Sequence, residues 1–204
     1  MAGEAQSSED AQFVGNLQVD CEKCGAKVQM EVTKKTLRLG GSEQTMTIMT
    51  CYCSACGHKD TEVKMRRAFM DHGKIITLLV SEPKQLQRKI FKSNTAGFKF
   101  AELDFDMADG SMGTHYLTVQ GLIKELIHQL ETRSPYSGGR GRFAKQHDAF
   151  IAKLKVFEEG KAPFTLILKD IAGSSFVEGL DGEEEAALEN DSRVIIETFK
   201  RSKK

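Results

Sequence analysis

Cys21-Glu22-Lys23-Cys24-Gly25 and Cys53-Ser54-Ala55-Cys56-Gly57 are two copies of one pattern, Cys-x-x-Cys-Gly, with 28 residues between Cys24 and Cys53. A two-residue turn brings both sulfurs of a pair to one point. The glycine after the second cysteine can take a positive φ, which curls the chain so that backbone amides face the thiolates. Those amides spread the charge that accumulates when four thiolates share one divalent ion. Zinc suits four sulfurs in a tetrahedron at about 2.3 Å. Cys21, Cys24, Cys53 and Cys56 are therefore the expected ligands of one structural Zn2+. Two redox dithiols are the competing reading, but such motifs usually occur singly near a βαβ pattern, which this stretch lacks. Iron also accepts four cysteines, and spacing does not separate it from zinc.

Four thiolates close the coordination sphere, whereas a catalytic zinc keeps a position for water or substrate. The ion is expected to add its binding free energy to the folding of a segment too small for a core of its own. Cys51, the fifth thiol, lies two residues before Cys53 and lacks the knuckle spacing; it reads as a small buried residue. No cysteine follows Cys56. An odd number of thiols packed into the first quarter of the chain argues against a secreted disulfide scaffold and for a reducing compartment. Residues 1–20 are polar and acidic, with no basic start leading into an apolar run, so no secretory signal is expected.

Outward from the knuckles, Val28, Met30 and Val32 alternate with polar residues, the period of a half-buried strand. Gly40-Gly41-Ser42 marks a turn, and Gln44 to Thr50 reads as the returning strand, so the cysteine pairs sit at the two ends of a hairpin. Lys74 to Val80 is a short strand. Pro83 to Phe91 suits a short helix, and Phe98, Phe100, Leu103 and Phe105 suggest a further strand with an irregularity. Leu122, Ile123, Leu126, Ile127 and Leu130 recur at helical spacing behind Thr118, a good N-cap. Ser134-Pro135-Tyr136-Ser137-Gly138-Gly139 breaks that helix. Phe143, His147, Phe150, Ile151, Leu154 and Phe157 form a second stripe that Gly160 and Pro163 end. Pro163 to Leu168 returns to β. The expected order is a disordered tail at 1–16, a four-Cys zinc ribbon at 17–64, a β domain at 65–180 with a helical hairpin inserted at about 118–160, and a charged segment at 181–204. The class is mixed α+β, mainly β.

Of 204 residues, 29 are Lys or Arg and 29 Asp or Glu, so the net charge is zero. That balance disfavours a chain whose main work is coating nucleic acid or anionic lipid, where binding rests on surplus positive charge. The longest strongly apolar stretch, Ile75 to Val80, is far short of a bilayer span, so no membrane partner is expected. Hydrophobic residues at 40% and charged residues at 28% are those of an ordinary globular chain. Residues 178–191 hold seven acids and no base. His58, His72, His115, His128 and His147 form no metal-ligand or catalytic motif; His58 alone follows a knuckle closely. Gly138-Gly139-Arg140-Gly141-Arg142 reads as a helix–helix turn rather than a nucleic-acid contact. Glu102, Asp104 and Asp106 read as a solvated strand face. No phosphate-binding loop, dinucleotide fingerprint or nucleophile elbow is present.

Several stretches resemble the ZPR-type zinc-finger family. They are the doubled Cys-x-x-Cys-Gly with its continuation Cys56-Gly57-His58-Lys59-Asp60-Thr61-Glu62-Val63-Lys64, then Lys92-Ser93-Asn94-Thr95 with Glu102-Leu103-Asp104-Phe105. Leu117-Thr118-Val119-Gln120-Gly121-Leu122 follows, and finally Pro163-Phe164-Thr165-Leu166-Ile167-Leu168 with Asp170 to Glu178. The likeness covers about residues 18–180. It departs from the family pattern at Gln120, Ile171 and Ser174, and only one module is present where eukaryotic members carry two in tandem. The resemblance implies a zinc ribbon followed by a β jelly-roll-like (double-stranded β-helix) domain with an inserted helical hairpin. It also implies binding of translation elongation factor one-alpha, with other signalling or nuclear proteins as further partners, and residence in the cytoplasm and the nucleus.

Together these features point to a non-enzymatic, zinc-stabilised chaperone or adaptor. The alternative is a nucleic-acid-binding zinc ribbon whose Lys59, Lys64, Arg66 and Arg67 track phosphate. A jelly-roll enzyme is a third reading; it needs a cavity with convergent polar groups.

Overall fold

A computed structural model describes residues 11–39, 42–65, 71–103, 105–139, 141–180 and 191–201. Residues 1–10 of the expected tail, Gly40 and Gly41 of the expected turn, Arg66, Arg67, Asp104, Arg140 and residues 181–190 of the acidic run lie outside them. The chain divides into two compact units, Met1–Phe69 and Met70–Lys204.

The first unit is one antiparallel sheet in the order β1 (Ala11–Asp20), β2 (Lys27–Leu39), β3 (Ser42–Tyr52) and β4 (Lys59–Met65). Leu39 pairs with Ser42 at the turn and Met30 with Cys51 at the open end, where the start of β2 and the end of β3 lie side by side. There the two knuckles lie, one between β1 and β2, the other between β3 and β4. Cys21, Val28, Cys51 and Cys53 form a small buried cluster beneath them. Met46 and Val63 are buried elsewhere on the same sheet. The expected tail is corrected here: residues 11–16 are strand, paired with β2 from Ala11↔Lys35 to Asp20↔Lys27. Glycine and amides hid that strand, because it is held by a ladder to β2 rather than by its own hydrophobic pattern.

The second unit packs a five-stranded sheet, ordered β12-β5-β10-β7-β8, with a three-stranded sheet, β11-β6-β9. The strands are β5 (His72–Val80), β6 (Lys89–Lys92), β7 (Ala96–Phe100), β8 (Asp106–Met107), β9 (His115–Thr118), β10 (Phe164–Asp170), β11 (Phe176–Val177) and β12 (Val194–Lys200). Both sheets feed one core, in which Ile76, Leu78, Ile90, Phe98, Phe100, Leu166 and Leu168 are fully buried. β10 pairs with β5 on one side and β7 on the other, which is why Phe164-Thr-Leu-Ile-Leu168 is so apolar. This is the jelly-roll-like architecture expected from the resemblance, with the mainly β, mixed composition expected from the patterning.

Between β9 and β10 stand α1 (Val119–Arg133) and α2 (Arg142–Glu158). Thr118 Oγ1 accepts from the Gly121 N–H at 3.0 Å, capping α1. Val119, Leu122, Ile123 and Leu126 of α1 and Leu154 and Phe157 of α2 enter the same core. Gly160, at φ 68°, closes α2: its N–H reaches the Phe157 carbonyl at 3.0 Å, and Lys161 N–H reaches Val156 at 3.0 Å. These two bonds satisfy orphan carbonyls of the last turn as a Schellman motif does.

Three further expectations change. Pro83–Gln87 is a 3-10 turn, and the chain then enters β6. β7 stops at Phe100; Leu103 N–H bonds back to the Phe100 carbonyl in a turn, and Phe105 packs its ring at a tilt against Phe150 of α2 instead of continuing a strand. The charged C-terminal segment contains β12, whose Val194 pairs with Leu78 of β5. Its apolar Val-Ile-Ile start gave that potential, but only the β5 edge realises it.

Candidate metal centre

Each knuckle is built by the same two backbone bonds. Gly25 N–H reaches the Cys21 carbonyl at 2.8 Å, and Gly57 N–H reaches Cys53 at 2.7 Å. Cys21 N–H donates to the Ala26 carbonyl and Cys53 N–H to His58, both at 2.8 Å. Gly25 and Gly57 sit at φ 71° and 70°, the conformation an L side chain adopts only with strain. The following turn then aims amides at sulfur in matching positions. Lys23 and Cys24 N–H groups face Cys21, and Ala55 and Cys56 face Cys53; Ala26 faces Cys24, and His58 faces Cys56. His58 therefore serves the site through its main chain.

The four sulfurs converge. All lie within 4.8 Å of one another, with Cys21–Cys56 at 3.7 Å and Cys24–Cys53 at 3.6 Å. Four sulfurs about 2.3 Å from one ion, at tetrahedral angles, stand about 3.8 Å apart. The thiols also titrate as a crowded set. At Cys24 the Ala26 amide pulls the thiol down, but the Cys56 and Cys53 sulfurs outweigh it and push it up to about 12. At Cys53 burial opposes ionisation, yet the Cys56 amide and the neighbouring thiols bring it down to about 7. Four thiolates at this spacing need a cation to ionise together. The donor set, its spacing and its amide shell fit one structural Zn2+. Cys51 is buried beside the site and is not part of the four-sulfur group.

The other candidates disperse. His147 Nε2 lies 3.2 Å from the Leu130 carbonyl, bridging α2 to α1. Glu102 accepts from the Thr165 N–H at 2.9 Å, a structural brace. Gly138 and Gly141 take φ 67° and 117° in the turn between the helices. Lys64 is paired with Glu62 at 3.1 Å on the same strand, which weakens the phosphate-tracking reading.

Sequence reasoning missed a second constellation. Lys92-Ser93-Asn94-Thr95 and Asp170 to Ser175 carry the family resemblance, but composition assigns them no role. In the structure Asp170 accepts from Ser93 Oγ (2.9 Å), Thr95 Oγ1 (2.6 Å), Ala172 N–H (2.9 Å), Ser175 N–H (2.7 Å) and Ser175 Oγ (2.7 Å). Burial pushes its carboxyl up, but the combined donors, Thr95 and Ser175 foremost, hold it below the usual carboxylate range. Fully buried Lys92 donates to the Ser111 and Gly113 carbonyls at 2.7 and 3.0 Å. Arg88, equally buried, donates to the Asp191 carboxylate at 2.7 Å and the Glu178 carbonyl at 3.1 Å. These groups lock loops.

Comparison with known proteins now bears on this geometry. Residues 84–204 match the ZPR1 jelly-roll domain. Zinc finger protein ZPR1 of Bos taurus is 33% identical over 186 residues, covering 90% of this chain and 39% of that protein. Zinc finger chaperone zpr1 of Schizosaccharomyces pombe is 29% identical over 197 residues, covering 95% and 41%. An uncharacterized ZPR1-like protein of Methanocaldococcus jannaschii is 23% identical over 180 residues, covering 88% and 89%. The chain spans about two-fifths of the length of the eukaryotic relatives it matches.

Proposed function

Because the chain belongs to the ZPR1 zinc-finger protein family, we propose that it is a non-enzymatic chaperone or adaptor for translation elongation factor one-alpha, with one Zn2+ held by Cys21, Cys24, Cys53 and Cys56. The observation that carries this reading is the closed four-thiolate set: it has no open position for substrate, and it staples the two knuckles of one sheet together. The name of the fission-yeast relative, a zinc finger chaperone, supports the chaperone half.

The helical hairpin supplies a surface for a client. At its tip Tyr136 and Phe143 form a tilted ring pair with centroids 5.8 Å apart, yet remain 49% and 66% exposed. Arg133, Arg142 and Lys145 in the same stretch of chain are exposed too. Exposed aromatics with basic residues nearby in the chain are the composition of a binding anchor. Work in the cytoplasm and the nucleus, and contact with further signalling or nuclear proteins, belong to the same proposal.

Capture of elongation factor one-alpha by the zinc-loaded, tagged chain tests it directly. Enrichment that falls when Tyr136 and Phe143 become serine supports the reading. A folded, zinc-loaded bait that brings down no elongation factor overturns it.

A further inference from the structure

Among the described residues, β1 is an edge of its sheet that lacks the usual guards. Sheet edges present unpaired N–H and C=O groups, and proteins ordinarily blunt them with charges, prolines or very short strands. Among the described residues, β8 and β11 are two residues long, β4 carries Lys59, Asp60, Glu62 and Lys64, and β12 carries Glu197 and Lys200. β1 has ten residues, pairs among the described residues with β2 alone, and shows no charge and no proline from Ala11 to Val19. Val14 and Leu17 on it are 51% and 55% exposed. One irregularity, between Phe13 and Gly15, bounds the regular part of the strand.

We propose that this edge pairs with β1 of a second copy of the chain, antiparallel, with Leu17 on the two-fold axis. The register to β2 puts Gly15, Leu17 and Val19 on one face of the sheet and Asn16 and Gln18 on the other, because they pair with Val32, Met30, Val28, Glu31 and Gln29 in turn. A two-fold axis at Leu17 keeps these faces together. Leu17 meets Leu17, Gly15 meets Val19, and Asn16 meets Gln18, whose amides are mutual donors and acceptors. The same register sets Asp20 against Val14, so no like charges face each other; Asp20 itself is already paired with Lys27 at 2.6 Å. The strand is thus complementary to itself, as an isologous contact requires, and the irregularity at Val14 limits regular pairing to the stretch from Gly15 to Val19. Two four-stranded ribbons become one eight-stranded sheet.

Sedimentation velocity of the full zinc-loaded chain, from low micromolar to several hundred micromolar, tests this. The mass is expected to rise from 22.7 kDa towards twice that value. Asn16→Lys with Gln18→Lys sets like charges opposite each other twice and is expected to weaken association about tenfold or more. Asn16→Lys with Gln18→Glu sets opposite charges there and restores it. Zinc content and circular dichroism report whether each variant is folded; should the double-lysine variant lose zinc, Leu17→Lys, which places like charges on the axis, takes its place. A wild-type chain that stays monomeric throughout, or folded variants that associate equally, overturns the proposal.

Discussion

Ser93 and Asp170, 77 positions apart, meet through a 2.9 Å bond from the serine hydroxyl to the buried carboxylate. The bond ties the β6–β7 turn to the end of β10, and Thr95 and Ser175 complete the cage around the same acid. Stability of the second unit depends on it for a simple reason. Removing the acceptor leaves several buried donors without partners, and each such group costs about 1–3 kcal/mol.

Asp170→Ala is therefore expected to destabilise the jelly-roll unit by about 3–5 kcal/mol, seen as a lower urea midpoint by far-ultraviolet circular dichroism. The pH sign follows from the depressed carboxyl. Its contribution is complete above the unfolded carboxyl value of about 3.9 and is lost as pH falls through the lower folded value. Asp170→Asn is expected to lose that acid-range slope. An unchanged slope counts against the cage.

Chelation of zinc is expected to act on one unit. A structural zinc contributes about 10–16 kcal/mol in small zinc domains. Stripping the ion, or Cys24→Ser, should collapse the amide dispersion of residues 11–65 in two-dimensional NMR while signals from β5 to β12 persist. Retention of one zinc per chain by Cys24→Ser with an ordered ribbon refutes the ligand set.

Gly160→Ala is expected to cost about 1–2 kcal/mol from the left-handed backbone alone. A Cβ there would also lie 3.1 Å from Leu86 Cδ1 and 3.3 Å from Pro83 Cβ, so the cost should exceed that of an ordinary surface change. Thermal unfolding at neutral pH measures it.

Tyr136→Ser with Phe143→Ser separates binding from folding. Both rings are largely exposed, so stability should shift by no more than about 0.5 kcal/mol. Capture of the elongation factor should fall about tenfold or more, equivalent to about 1.4 kcal/mol. Equal capture by the variant moves the client surface elsewhere.

What was legible in the amino-acid order is local in origin. Knuckle spacing, glycine position and the stripes of α1 and α2 each act within a few residues, so the convergence of the four sulfurs, the hairpin and the mainly β class could be read directly. Long-range pairing was not legible. The first part of β1, residues 11–16, looked like tail because Gly15 and Asn16 give it little apolar pattern of its own, and β12 looked like a charged end because Val194-Ile195-Ile196 is too short to stand alone.

The sequence by itself determined where four thiolates would meet, since two tight turns force that chemistry whatever surrounds them. Only the tertiary structure decided what Arg88, Lys92 and Asp170 do. A charged residue reads as surface in one dimension, and it becomes a buried brace only when distant loops bring the donors and acceptors that replace its water. The same holds for the open edge of β1: its lack of charge is written in the chain, but that it is an edge is a fact of strand order.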